Sequence, residues 1–396
     1  MFRRAVVFLL ICISLNSLSA FDKERNPVID KKFVEGMLLL QNKDYEKATT
    51  LFKEILIIDP NLLRPRLELA KSLYLSGNYK VSKYHFEQVL IEEIPEIVRL
   101  NIYLYLNNIK SKVPSYEYSL SFVSDSNPSH KTDAEFIRIN GLRFNLSESA
   151  KAKEDNGLRI QFLSHIPLND GQWYLNSNLE ITDYPGTKGD LKVYEFISGR
   201  DASELLPSLK LEAGIHGVEY QEKLLYDGFS IAGKYIYEIN KNSLIDSSIK
   251  HKTLDYRNYD YLSGDENSLR LSLIHIPTIS SRIETTYERV DTSARENSYA
   301  FQQDTYGINL TKEFTKGWVV GGLLSKSNKG YDGKDIIYQT HREDNQKTAE
   351  ISIYKRDFEI FGMNPKLIIG KKENKSNLEF YSWDSEYRNI TFKKEF

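Results

Sequence analysis

From Ser115 to Phe396 the chain alternates apolar and polar residues in runs of about ten, with no helical period between them. Trp173, Leu175, Leu179 and Ile181 alternate with Tyr174, Asn176, Asn178, Glu180 and Thr182. Leu209, Leu211, Ala213 and Ile215 alternate with Lys210, Glu212, Gly214 and His216, and Leu269, Leu271 and Leu273 with Ser268, Arg270 and Ser272. Successive side chains of a strand point to opposite faces, so each run has one apolar and one polar face. Strands of soluble sandwiches span about five or six residues, whereas about 9–11 fit a tilted strand crossing a bilayer. The pattern predicts an antiparallel transmembrane β-barrel over residues 115–396, closed by a strand that ends on an aromatic residue. Ile390, Phe392 and Phe396 share one face of that strand.

Short turns are expected near 168–171, 200–207, 240–243, 277–280, 315–317 and 359–364. Longer loops are expected near 184–190, 220–228, 256–266, 292–301, 329–345 and 375–385. Barrels of this kind place short turns in the periplasm and long loops outside, with an even strand number. The alternation gives fourteen strands if the first loop runs from about 125 to 156. Glu135 to Leu146 also reads as a strand; counting it as spanning would give fifteen, so it is assigned to the first loop, folded into the lumen. Tyr184, Tyr220, Tyr226, Tyr256, Tyr259 and Tyr287 fall near strand ends, as expected of interfacial aromatic girdles.

Residues 28–112 change period. Phe33, Met37, Leu40, then Ala48, Phe52 and Ile55 follow helical spacing. Gly36 and Ala70, Tyr45 and Tyr79, and Phe52 and Phe86 each stand 34 residues apart. Pro60 and Pro95 close the two units, Gly77 fits the turn between paired helices, and Ile97 to Ile109 would cap the stack. The pattern resembles the tetratricopeptide repeat, which predicts an N-terminal tetratricopeptide-repeat α-solenoid ahead of the barrel and an α+β membrane protein overall. On that register the inner groove carries Phe33, Met37, Leu40, Leu67, Lys71, Tyr74, Asn101 and Tyr105. These residues would hold an extended or helical peptide client, or pack against neighbouring helices; both readings stand.

Residues 1–20 read as a signal peptide, with Arg3 and Arg4 before the apolar run Ala5 to Ile13 and small residues at Ser17, Ser19 and Ala20. The single cysteine, Cys12, lies in that segment, so disulfides and thiolate metal sites are not expected after cleavage. Net charge is −2, which gives no sign of a nucleic-acid partner. Mean hydropathy is −0.47. That value excludes a helical membrane protein but suits a barrel whose strands are half polar. The seven histidines show no metal-ligand spacing, and His216 and His275 are expected to hydrogen-bond in the lumen. Phosphate loops, nucleophile elbows and zinc-protease motifs are absent, so neither cofactor nor enzyme activity is expected.

Gly362 and Pro365, then Ser376-Asn377, Tyr381, Arg388 and Phe396 resemble the closing strands of the surface lipoprotein assembly modulators, the Slam proteins of the type XI secretion route. Asp125-Ser126-Asn127 and Tyr184-Pro185 are similar to further landmarks of that family. The resemblance implies an outer-membrane translocon that exports or displays client proteins, either surface lipoproteins or small secreted proteins. The implied partners are the client, outer-membrane lipid, the barrel-assembly machinery that reads Ile390, Phe392 and Phe396, and periplasmic chaperones. Lys393, Lys394 and Glu395 make the last strand a poor match to lipid. They would either weaken the seam for lateral release or sit at the periplasmic rim. A polysaccharide exporter or a porin with a periplasmic repeat domain is the alternative; neither accounts for the C-terminal landmarks.

Overall fold

The computed structural model describes residues 26–396 with the exception of 140, 187, 188, 279 and 396. The signal-peptide reading of residues 1–20 and the role given to Phe396 lie outside the described residues. Between Val113 and Pro114 the chain divides into two compact units.

Five helices are described in the first unit: α1 (Pro27–Gln41), α2 (Tyr45–Ile58), α3 (Leu63–Leu75), α4 (Tyr79–Leu90) and α5 (Glu96–Lys110). Asn26 caps α1, its side chain accepting from the Val28 N–H at 3.0 Å, and Pro27 supplies the fixed φ of a first turn. The turns into α2 and α4 repeat one device. Lys43 (φ 62°) and Gly77 (φ 83°), 34 residues apart, both take left-handed backbone. Close helix approach follows from Gly36, where a Cβ would stand 2.9 Å from the Phe52 ring. One apolar cluster gathers Ala48, Phe52, Ile55, Leu69 and Leu73; a second gathers Ala70, Phe86, Val89, Ile102 and Ile109. Full burial of rings such as Phe52 and Phe86 contributes roughly 2–3 kcal/mol each. Buried hydroxyls are paired: Thr49 donates to Ser72 at 3.0 Å, and Ser82 to the Ala70 carbonyl at 2.7 Å.

The second unit is a closed, antiparallel, fourteen-stranded barrel. Its strands begin with β1 (Ser115–Asp125). A small hairpin, β2 (Phe136–Ile139) and β3 (Leu142–Asn145), then interrupts before β4 (Asp155–Leu168), β5 (Trp173–Asp183), β6 (Leu191–Asp201) and β7 (Leu209–Tyr220). The wall continues through β8 (Lys223–Asn240), β9 (Ser243–Tyr256), β10 (Gly264–Thr278), β11 (Ser281–Thr292) and β12 (Phe301–Glu313). It ends with β13 (Trp318–Lys334), β14 (His341–Lys355), β15 (Asn364–Ser376) and β16 (Trp383–Glu395). Each strand pairs with its neighbour in order, and β1 closes the wall by pairing with both β4 and β16. Glu135 to Leu146 forms the β2–β3 hairpin inside the first loop and pairs with no wall strand, so the barrel keeps its even number.

The registers carry one apolar face all round the outside. Phe122, Leu175, Ile215, Phe229, Leu271 and Ile351 are among the exposed members of that face. A closed wall leaves no sheet edge unpaired, and an apolar exterior suits lipid; the protein is an outer-membrane barrel. Two expectations differ from what is found. A long loop near 220–228 is replaced by a two-residue turn, Gln221-Glu222, with φ of 50° and 61°. Such turns usually announce themselves by Asn or Gly, which this one lacks. Tyr184 is buried, and Tyr226 packs on Tyr256 at 5.0 Å and beside His216 at 6.2 Å, so these do not join an outer girdle. Nearness to a strand end says nothing about which face a side chain takes.

Candidate functional site

On the helical unit, Phe33, Met37 and Leu40 lean on the first apolar cluster, with Phe33 5.9 Å from the Phe52 ring. Leu67, Tyr74 and Tyr105 lean on the second. Tyr105 stacks on Phe86 at 4.9 Å and meets Tyr74 edge-on at 4.9 Å, and Tyr74 meets Tyr79 at 5.6 Å. Burial pushes the Tyr105 hydroxyl up to about 12, with Glu68 and Tyr74 adding to it, and burial raises Tyr74 as well. Lys71 is half-buried and Asn101 exposed. Tyr74 and Tyr105 thus belong to one ring cluster with Tyr79 and Phe86, whereas Phe33 stands apart from it on Phe52. Beside them Glu68 is buried and paired with Arg64 at 2.9 Å, while Glu68 Oε2 and Arg64 Nε have no hydrogen-bond partner.

Inside the barrel the polar faces meet as ion pairs and hydrogen bonds. Glu212 accepts from Tyr174 at 2.8 Å and pairs with Lys234 at 2.9 Å. Glu195 pairs with Lys250, Arg159 with Glu180 at 3.3 Å, and Lys252 with Glu266 at 3.3 Å. Glu350 accepts from Tyr387 at 3.0 Å. The lumen is therefore lined by compensated charge. His275 bonds Ser243 at 2.9 Å, but on the outward row of Leu269, Leu271 and Leu273 rather than in the lumen, and His216, which is buried in the lumen, has no hydrogen-bond partner on either ring nitrogen. Its surroundings are polar as its strand position predicts, with Glu195 directly opposite on β6, but they supply it no hydrogen bond, and Tyr226 lies beside it at 6.2 Å. Among the described residues no group of three or more His, Cys, Asp or Glu is placed to hold a metal ion.

The landmarks Asp125-Ser126-Asn127, Ser376-Asn377 and Tyr381 lie at the end of the barrel where β1 finishes and β16 begins. Asn127 is 1% exposed and bridges the seam between β1 and β16. Its amide nitrogen donates to the Asp384 carbonyl at 2.9 Å and the Lys131 carbonyl at 2.8 Å, and its oxygen accepts from the Lys131 N–H at 3.0 Å. Asp125 accepts from Ser385 at 2.6 Å, and Ser126 accepts from the Glu386 N–H at 2.8 Å. Two strands on, Asn377 bonds the Glu343 N–H and the His341 carbonyl, both at 2.8 Å. Ser376 accepts from the Leu378 N–H at 3.2 Å, and Tyr381 donates to Asp335 at 2.6 Å while the Arg342 guanidinium covers its ring at 3.6 Å. At the other end, Gly362 (φ 71°) closes the turn before Pro365, which pairs with Phe392.

The β1–β16 register runs from Glu117↔Glu395 to Asp125↔Tyr387, and the β1–β4 register from Ser115↔His165 to Asp125↔Asp155. Lys393 bonds Glu117 at 2.6 Å across the seam, and Ser121 bonds Thr391 at 2.8 Å. Lys393 and Glu395 share the inward face with Thr391, whereas Arg388, Ile390, Phe392 and Lys394 face outward, Phe392 meeting Phe122 edge-on at 6.3 Å. The bonding across this seam was not readable from any single strand; the Asp125-Ser126-Asn127 landmark was its only trace.

Residues 101–396 match the family model described as surface lipoprotein assembly modifier. Surface lipoprotein assembly modifier 1 of Haemophilus influenzae is 20% identical over 390 residues, covering 92% of this chain and 77% of its own. The hemophilin secretion modulator of Acinetobacter baumannii is 25% identical over 173 residues, covering 43% of this chain and 34% of its own. A solved bacterial polysaccharide outer membrane secretin aligns at 11% identity over 72% of this chain and 99% of its own, with a TM-score of 0.38. With the family match running through the helical cap, every wall strand and the seam landmarks, the chain belongs to the surface lipoprotein assembly modifier family.

Proposed function

We propose that the protein is an outer-membrane translocon that exports or displays client proteins, surface lipoproteins or small secreted proteins, with its helical unit in the periplasm. The family membership carries this reading, since relatives are named for assembling surface lipoproteins and for secreting hemophilin. The helical unit is read as a tetratricopeptide-type domain, supported by the 34-residue recurrence of Gly36/Ala70, Phe52/Phe86 and Lys43/Gly77 in equivalent places. Its client groove is assigned to Phe33, Met37, Leu40, Leu67, Lys71, Tyr74, Asn101 and Tyr105. The half-exposed Tyr74 and Tyr105 would give apolar anchorage. The periplasmic orientation is supported by loop length: four of the six connections at the barrel end where β1 begins have four residues or fewer, against one of seven at the other end, the Gln221-Glu222 turn. Ile390, Phe392 and Phe396 would be the signal read during assembly.

Deleting residues 21–112 tests the division of labour. The shortened protein is expected to insert as a heat-modifiable barrel yet leave its client off the cell surface, read by surface labelling of lipoproteins in cells with and without the helical unit. Undiminished display by the shortened protein would refute client recruitment by the helices.

A further inference from the structure

We propose that the outer wall of β12–β15 binds a phosphorylated, multi-acyl glycolipid of the outer leaflet, with its phosphate on Lys326 and Lys347 and its chains over Gly322 and Ala349. The orientation used is the one proposed above.

Lys326 and Lys347 are direct cross-strand partners, and their neighbours in the same row are Tyr306 on one side and Glu373 on the other. All face outward, because the alternating Thr305 and Ser327 bond each other at 2.8 Å on the inner face. Like charges set directly opposite on paired strands are destabilising. Neither lysine has a carboxylate partner among the described residues. Acid is close by but engaged elsewhere. Glu373, next to Lys347, bonds Lys375 at 3.0 Å, and Asp384 and Glu386 both bond Lys371, at 3.0 and 3.1 Å. The wall therefore keeps two uncompensated cations side by side where a single anion could bridge both.

Below them the wall is hollowed. A depression of about 540 Å³ is lined by Tyr306, Ile308, Leu324, Lys326, Lys347 and Ala349. It runs on into a second of about 550 Å³ whose floor is Leu310, Gly322, Ile351 and Ile369 and whose β15–β16 side carries Lys371, Glu386 and Arg388. The hollow exists because Gly322 and Ala349 stand where the surrounding outward residues are Leu and Ile. Packing does not force that choice: a Cβ at Gly322 meets nothing closer than 4.0 Å. The level is also right. Lys326 lies eight residues from Trp318, the exposed aromatic at the short-turn end of β13. At about 3.3 Å per residue and a tilt of about 40°, that is roughly 20 Å along the membrane normal. The apolar band of such barrels is about 25 Å tall, so the ammonium groups reach its outer edge, where lipid phosphates lie. An apolar trough rising to a paired cation site is the shape and charge of an acyl chain carrying a phosphorylated head. A client's lipid anchor would use the trough but has no phosphate to bridge the lysines.

The test uses the folded full chain, selected by heat-modifiability, titrated in detergent by native mass spectrometry. Three probes are compared: bis-phosphorylated lipid A, its dephosphorylated form, and a diacylated lipopeptide. The wild type is expected to bind the phosphorylated lipid at least tenfold more tightly than either other probe. K326Q/K347Q is expected to lose that preference and K326R/K347R to keep it, while G322L weakens all three probes. Equal binding of the dephosphorylated lipid, tighter binding of the lipopeptide, or a preference that survives in K326Q/K347Q would overturn the proposal; unchanged binding by G322L would overturn the trough. None of these readouts depends on export, so they stand or fall apart from the translocon reading.

Discussion

Asn127→Ala is expected to loosen one end of the barrel seam while leaving the rest of the wall intact. The change removes three side-chain hydrogen bonds and leaves the Asp384 and Lys131 carbonyls and the Lys131 N–H to find other partners. A typical intramolecular hydrogen bond contributes about 1 kcal/mol net, and more when its loss strands a buried partner. The site lies at a loop mouth where water can replace part of the loss, so the local cost is about 2–3 kcal/mol. Only the bond to Asp384 crosses from β1's loop to β16, so the effect falls on opening of that strand end rather than on global unfolding. With that one crossing bond worth about 1–2 kcal/mol and every 1.4 kcal/mol tenfold, amide exchange at residues 122–125 and 385–388 should rise roughly 5- to 30-fold. Asn127→Asp should do more harm, because a carboxylate would face the two carbonyls that the amide nitrogen now serves. Hydrogen–deuterium exchange of the protein in detergent or nanodiscs reads this directly. Unchanged exchange at those residues, or a uniform rise in all strands, would refute the assignment of Asn127 as a seam clamp.

Two further outcomes follow from the helical unit. Lys43→Gly should raise its stability by about 0.5–1 kcal/mol, because a non-glycine residue in left-handed backbone costs about 1–2 kcal/mol, partly offset by the freedom glycine adds to the unfolded chain; Gly77→Ala should do the reverse, and denaturant melts followed by helical circular dichroism compare the two. His85 is half-buried with Nδ1 unpartnered, and burial first, then Arg66 and Lys53, hold its value below the usual 6.5. The folded form thus binds fewer protons than the unfolded one, so stability is complete above about pH 6.5 and falls as pH drops through the folded value. Exchange in α4 should quicken between pH 7.5 and 5.5, and His85→Gln should flatten that dependence.

The alternation along each strand was enough to place the barrel, because a wall with lipid on one side and a polar lumen on the other imposes period 2 on every strand. The count of fourteen also needed the even-number rule, which moved Glu135 to Leu146 into the first loop. The Gln221-Glu222 turn escaped because its positive φ angles are carried by residues with no turn preference. Tyr184, Tyr226 and Tyr256 escaped because distance from a strand end does not fix the face. Pairings between strands were invisible in principle. Lys326 and Lys347 stand 21 residues apart, and only the β13–β14 register sets them face to face. The same holds for Asn127 and Asp384, whose bond spans 257 residues. The family landmarks marked where such bonds fall without saying what they join.

The closure of the wall by β1 and β16 also sets an order in time. Ser121 and Thr391, bonded across the seam, are 270 residues apart in the chain, whereas every other wall strand meets a neighbour that follows it closely. A growing sheet can add β4 to β1 and then each later strand by a short hairpin closure, but one edge of β1 stays unsatisfied until β16 arrives. Until then the protein is an open, curling sheet with two unpaired edges, the state in which strands recruit foreign partners. A chain stopped anywhere short of β16 would be held permanently in that state. Asp125, Ser126 and Asn127, gathered at one end of the β1–β16 register, give the last-made join a recognition point. A one-residue slip there would turn every β16 side chain to the wrong face and misalign these three residues with Asp384, Ser385 and Glu386.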